Sequence, residues 1–170
     1  MVILIAGATH AGKTVLAQKI LEKYHFPYLS IDHLKMGLIR SGNCPLTPES
    51  SDSELTSYLW PIVAEIVKTV IENNQNLIVE GCYIPFDYYK GFDENYLEKI
   101  QYRCLVLSEK YINNRFETIL QHASDIETRD PNVPTKQQLI DENNKNLQKC
   151  LEEGLGYFLV DEKYEMDFVI

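Results

Sequence analysis

The residues with the most definite chemistry lie near the start of the chain, in Gly7-Ala8-Thr9-His10-Ala11-Gly12-Lys13-Thr14. Gly7, Gly12, Lys13 and Thr14 stand at the spacing of a phosphate-binding loop. Glycines permit dihedrals that turn successive backbone N–H groups toward one concavity, and a following helix adds the partial positive charge of its N-terminus. In such a loop Lys13 reaches the outer phosphates of a nucleoside triphosphate, and the Thr14 hydroxyl ligates Mg²⁺. Ala8, Thr9, His10 and Ala11 complete the cradle, with His10 at a variable position and read as filler. The competing reading is an ordinary Gly-rich strand–turn–helix, and the flanking elements weigh against it.

Those elements are legible. Val2-Ile3-Leu4-Ile5-Ala6 is a continuous apolar, β-branched run, the pattern of a strand buried on both faces. Residues 13–24 read as a helix with Val15, Leu16, Ile20 and Leu21 on one face. Residues 26–30 form a second short strand, and 31–41 a helix capped by Ser30 or Asp32. Residues 42–53 carry Gly42, Pro45 and Pro48 and read as a loop. A long helix follows over 54–73, with Trp60 packing beside Leu59, Val63 and Ile66. Residues 77–81 are a third strand, 82–99 irregular and aromatic, and 103–107 a fourth strand. Helical pattern resumes near Glu109, breaks around Pro131 and Pro134, and returns over 136–153 until Gly154. Residues 157–160 make a fifth strand, and Phe168-Val169-Ile170 is expected to add an edge strand. Strands alternating with helices predict a parallel sheet covered on both faces, a three-layer α/β arrangement with right-handed crossovers.

The bulk properties narrow the function. A chain of 170 residues suits one compact domain with its own core, here 1–170. A net charge of −9 argues against a nucleic-acid coat or an anionic-membrane binder, which need clustered Lys and Arg. A small anionic ligand in a local cationic pocket is compatible with it. No apolar run approaches the roughly 20 residues that span a bilayer, and the N-terminal apolar stretch leads straight into the phosphate loop. The expectation is a cytoplasmic protein. Cys44, Cys82, Cys104 and Cys150 show no CxxC pair and no zinc pattern, so they are read as packing residues or idle thiols. Nothing in the sequence sets an oligomeric state.

With this loop in this context, the chain resembles the P-loop small-kinase superfamily: adenylate kinase-like enzymes, shikimate and gluconate kinases, chloramphenicol phosphotransferase and zeta toxins. The motifs of GTPases, DxxG and NKxD, are missing. The resemblance implies a P-loop NTPase fold with a five-stranded, mostly parallel sheet in the order 2-3-1-4-5 and a small helical lid over about 115–135. It also implies ATP and Mg²⁺ as the bound species.

The same resemblance assigns roles. In Ser30-Ile31-Asp32-His33-Leu34-Lys35, Asp32 matches the aspartate that takes a proton from an acceptor hydroxyl, and Lys35 the basic residue that helps hold phosphate or acceptor. Asp32 as a mere helix cap is the plain alternative. Arg40 matches the arginine with which adenylate kinases clamp an acceptor phosphate, or is a solvated helix end. Glu80 closes an apolar strand, where a carboxylate is costly without a partner. It serves Mg²⁺ through a water, or the acceptor. Arg115 and Arg129 match the two lid arginines that neutralise the transferred phosphoryl, since guanidinium is planar, always charged and bidentate. Tyr83, Pro85, Phe86, Tyr88 and Tyr89 line an acceptor pocket or cover the sheet edge. A base-recognition loop is expected near Asp161.

The sequence thus points to an ATP-dependent phosphotransferase acting on a small-molecule hydroxyl. A nucleoside monophosphate kinase using Arg40 and no base is one alternative. A nucleotide-binding regulatory protein without transfer activity is the other.

Overall fold

The computed structural model describes residues 1–122 and 133–164. Arg129, with residues 123–132 of the segment expected as a lid, and the expected strand at Phe168-Val169-Ile170 lie outside the described residues.

Strand β1 (Val2–Gly7) is buried at every position. Val2, Leu4 and Ala6 enter one apolar cluster, Ile3 and Ile5 the other, because successive side chains of a strand point to opposite faces. Helix α1 (Lys13–Tyr24) packs Leu16, Ala17 and Ile20 onto the second cluster. Helices α2 (Ile31–Arg40) and α3 (Asp52–Glu72) pack on the first through Ile31, Leu55, Leu59, Val63 and Val67. Each fully buried Leu or Ile contributes about 1.5–3 kcal/mol of transfer free energy, so both layers are needed to hold the sheet between them.

The sheet adds β2 (Tyr28–Ser30), β3 (Leu77–Glu80), β4 (Ile100–Leu107) and β5 (Tyr157–Val160). Its order is β2-β3-β1-β4-β5 and every described pairing is parallel, the arrangement the resemblance implied. Short helix α4 (Glu94–Leu97) precedes β4, and α5 (Glu109–Gln121) and α6 (Lys136–Glu153) lie between β4 and β5. Ser30 pairs with Glu80, and Glu80 with Ile5. The last residues of β2 and β3 therefore stand in one row with Ile5 of β1. Among the described residues no helix is long and apolar enough to cross a membrane.

The element edges differ from expectation for local reasons. β4 begins at Ile100 rather than Arg103, since its first residues alternate buried and half-exposed and accept Gln101 and Arg103 on the open side. β2 begins at Tyr28, after Pro27, which lacks an N–H and offers only its carbonyl, to Ile78 N at 2.8 Å. α3 starts at Asp52 because Ser51 and Glu54 form a reciprocal capping box.

One polar residue ties the return helix to the sheet. Asn143 of α6 is fully buried. Its Oδ1 accepts from Leu107 N–H at the end of β4 (2.8 Å), and its Nδ2 donates to the Leu139 carbonyl (2.8 Å). Removing it strands a buried N–H, which costs about 1–3 kcal/mol. Asn143→Ala is therefore expected to lose about that much stability in urea unfolding followed by circular dichroism. An unchanged midpoint would show that the Leu107 contact is dispensable.

Candidate active site

The chain leaves β1 through Gly7 at φ 143°, where a Cβ would stand 2.5 Å from the Leu105 carbonyl oxygen of the neighbouring strand. No side chain fits between these two backbones. Gly12 takes a left-handed conformation (φ 89°) as the N-cap of α1 and makes no side-chain cap hydrogen bond. The first turn of α1 contains no acidic residue. Its N-terminal dipole thus meets no competing carboxylate from the helix itself, as an anion site requires. His10 also adopts positive φ (58°), and its Nδ1 lies 3.0 Å from the Thr9 hydroxyl. Histidine is among the non-glycine residues enriched in that region.

Lys13 is 5% exposed. Its ammonium donates to the loop's own Ala8 carbonyl at 2.8 Å and to Cys82 Sγ at 3.1 Å. Thr14 donates its hydroxyl to Glu80 Oε1 at 3.3 Å, and both residues are buried. A glutamate buried to 2% exposure needs such partners to offset its desolvation. Thr14 and Glu80 suit Mg²⁺, which takes one or two protein oxygens and completes its shell with phosphates and water. Among the described residues no group of three His, Cys, Asp or Glu forms a metal site alone. The fit is to an ion that arrives with a phosphate ligand.

Beside the loop stands a second polar group. Ser30 occupies the N-cap position of α2 without a side-chain cap bond, and the Asp32 carboxylate instead accepts from Lys35 Nζ at 2.6 Å. Lys35 also donates to Tyr83 OH at 2.9 Å. Burial alone would lower the Lys35 pKa, but its bonds to Asp32 and Tyr83 outweigh that and raise it. Burial raises the Tyr83 phenol, so the cluster holds an ammonium and a neutral phenol at physiological pH. Gly81 lets α2 approach, since a Cβ there would lie 2.9 Å from Ile31 Cβ.

Arg40 is exposed at the last position of α2. Arg115 is exposed at a kink within α5, with φ −128° and ψ 15°. It lines an open cleft of about 310 Å³ with Lys110, Tyr111, Asn114, Asp161 and Glu162. The aromatic segment divides. Tyr88 stacks on Tyr102 at 4.9 Å as sheet cover, while Tyr83 turns to Lys35. Trp60 packs edge-on against Phe92 at 6.2 Å.

Two further contacts come from residues far along the chain. Tyr164 donates its hydroxyl to the Gly12 carbonyl at 2.7 Å, with Lys19 5.5 Å from its ring centroid. Glu142 of α6 accepts a hydrogen bond from the Thr9 backbone N–H. Neither has a sequence signal, because both are set by where distant elements return. Cys82, an exposed thiol at the Lys13 ammonium, was likewise hidden in a segment without periodicity.

Solved structures share this architecture. A protein from Chloroflexus aurantiacus, provisionally assigned as a kinase, is 17% identical with a TM-score of 0.57, over 98% of this chain and 91% of that one. Shikimate kinase from Bacteroides thetaiotaomicron is 14% identical with a TM-score of 0.53, over 97% of this chain and 89% of that one. No family model matches the chain, and no curated protein matches it. At these identities the likeness establishes the fold alone, a parallel α/β sheet in the order β2-β3-β1-β4-β5.

Glu142 is exposed, yet partial desolvation of its carboxylate, with repulsion from Asp52, raises its pKa above the ordinary 4.5, and the Thr9 bond, Lys13 and Lys145 only partly offset this. Ionised Glu142 therefore opposes folding weakly, because solvent screens an exposed charge. The group favours the folded state below the ordinary glutamate value, and that contribution is lost as pH rises through the raised one. Glu142→Gln is expected to unfold at higher urea than the parent at pH 7, with the difference closing toward pH 4. A gap that persists in acid would assign the effect to packing.

Proposed function

We propose that the protein is an ATP-dependent phosphotransferase that moves the γ-phosphoryl group of MgATP to a hydroxyl of a small molecule. The observation that carries the proposal is the placement of Asp32. Its carboxylate lies two residues beyond Ser30, which pairs with Glu80, whose carboxylate meets Thr14 of the phosphate loop. The helix that carries Asp32 thus starts beside the strand end that meets the phosphate loop, which supports reading Asp32 as the proton acceptor.

In this reading the loop N–H groups and Lys13 bind the triphosphate. Lys13 must exchange its Ala8 contact for phosphate oxygens. Thr14 and Glu80 would hold Mg²⁺, directly or through water, and the ion would supply charge neutralisation on the phosphates. Asp32 takes the acceptor proton as the new O–P bond forms and the bond to the β-phosphate breaks, releasing ADP. Phosphoryl transfer is mostly positioning and neutralisation, so little covalent work is asked of the protein. Arg115 and Arg129 would stabilise the transferring group from a lid over about 115–135, and closure would exclude water as a competing acceptor. The cleft shared by Arg115 and Asp161 supports base recognition on that side. The setting that suits this chemistry is the cytoplasm, within a single domain.

A monophosphate kinase is the alternative, and it would use Arg40, which is exposed at the last position of α2, in place of Asp32. A monophosphate acceptor is already ionised and needs no base.

Two measurements test this. With MgATP and a small-metabolite extract, mass spectrometry should detect a species gaining one phosphoryl unit with the parent protein and not with Lys13→Ala. A blank despite ATP binding would favour the regulatory alternative. Asp32→Asn should then lower turnover of that species about 100-fold or more, as removal of a general base does, with ATP affinity nearly unchanged. Near-normal turnover would sink the hydroxyl reading.

A further inference from the structure

We propose that Tyr83 is a positioning residue for the base: its buried phenol anchors Lys35, and Lys35 fixes the Asp32 carboxylate where an acceptor hydroxyl docks. The inference rests on the reading of Asp32 as that base.

The other lysine–acid pairs at this helical spacing supply the contrast. Lys68–Glu65, Lys90–Asp87 and Lys149–Glu152 have lysine side chains exposed by 26%, 68% and 46%, whereas Lys35 is exposed by 12%. Exposed pairs of this kind contribute little and fluctuate, because two long side chains must be ordered in water. Such a pair would not hold a base in reactive geometry. Lys35 differs because it enters a built seat. Tyr83, 7% exposed, accepts a second bond from the ammonium at 2.9 Å, and the ammonium stands 5.0 Å from the centre of the same ring. Asp32 is the most open of the three, with 39% of its side chain exposed. The network runs from a fixed interior phenol, through a cation, to a carboxylate presented at the surface of the site.

The location of Tyr83 adds a second argument. Four consecutive residues at the exit of β3 each touch a different part of the site. Glu80 meets Thr14, Gly81 abuts Ile31, Cys82 meets Lys13, and Tyr83 meets Lys35. One short, mostly buried segment therefore sets the distance between the phosphate loop and the base helix. Tyr83 is its last contact.

The test uses Tyr83→Phe, which keeps the ring over Lys35 and removes only the hydroxyl, in the parent and in Asp32→Asn. The probe is γ-labelled ATP with the small-metabolite extract, counting only label that Lys13→Ala fails to transfer. Lys35 acylation by acetic anhydride, read by mass spectrometry against Lys149 in the same sample, is the readout that needs no acceptor. In the parent background the transfer rate at saturating MgATP is expected to fall about tenfold, the scale of a hydrogen bond to a charged group. The KM for ATP should change less than twofold. In Asp32→Asn the added Tyr83→Phe change should cost less than twofold, because the phenol acts through the missing carboxylate. Lys35 acylation should rise severalfold in Tyr83→Phe.

Equal losses in both backgrounds would overturn the inference, as would full activity of Tyr83→Phe beside an inactive Asp32→Asn. Unchanged acylation would also overturn it, because the phenol would not be seating the ammonium. A fully active Asp32→Asn, or no Lys13-dependent label at all, would instead bring down the base reading and this inference with it.

Discussion

Glu80 carries a carboxylate into a place where only 2% of the residue is exposed, at the end of a strand whose other members are aliphatic. Desolvation makes that placement expensive unless polar partners are fixed nearby. The fold meets the requirement by register. β3 lies between β2 and β1, so Ser30 and Glu80, the last residues of their strands, stand level with Ile5 of β1, and the helix that follows β1 brings Thr14 within hydrogen-bonding distance. A slip of one residue in either pairing would turn Glu80 toward the opposite apolar layer. Strand alignment, loop position and the start of α2 all follow from keeping this one group satisfied.

How much could be read from residues alone depended on whether the signal was local. The apolar run before Gly7 and the helix over 136–153 were visible because burial on both faces and a terminating glycine leave marks in adjacent residues. The start of β4 was not, because Gln101 and Arg103 face an open side and break the apolar run. The sheet order came from resemblance, since periodicity carries no information about which strands are neighbours.

The same division runs through the site. The phosphate loop is a contiguous motif, and Asp32 and Lys35 lie on one helix turn. Tyr83, Cys82, Glu142 and Tyr164 reach the site from segments far apart in the chain. Their roles are properties of the assembled sheet edge. Tyr83 was grouped with its aromatic neighbours by composition, yet Tyr88 shields the sheet and Tyr83 holds a cation.

The Lys13 contact to Ala8 has a consequence for ligand choice. In the loop the ammonium is coordinated by a peptide carbonyl and a thiol. An incoming molecule must outcompete these intramolecular ligands, and the affinity observed is the difference between the two sets of contacts. A carbonyl and a sulfur carry partial charge, whereas phosphate oxygens carry formal charge and form stronger bonds to an ammonium. Nucleosides, which offer only neutral oxygens, gain almost nothing from the exchange, while polyphosphates gain at every oxygen they bring. A contact of this kind disfavours uncharged ligands, and it supplies a buried cation with polar partners.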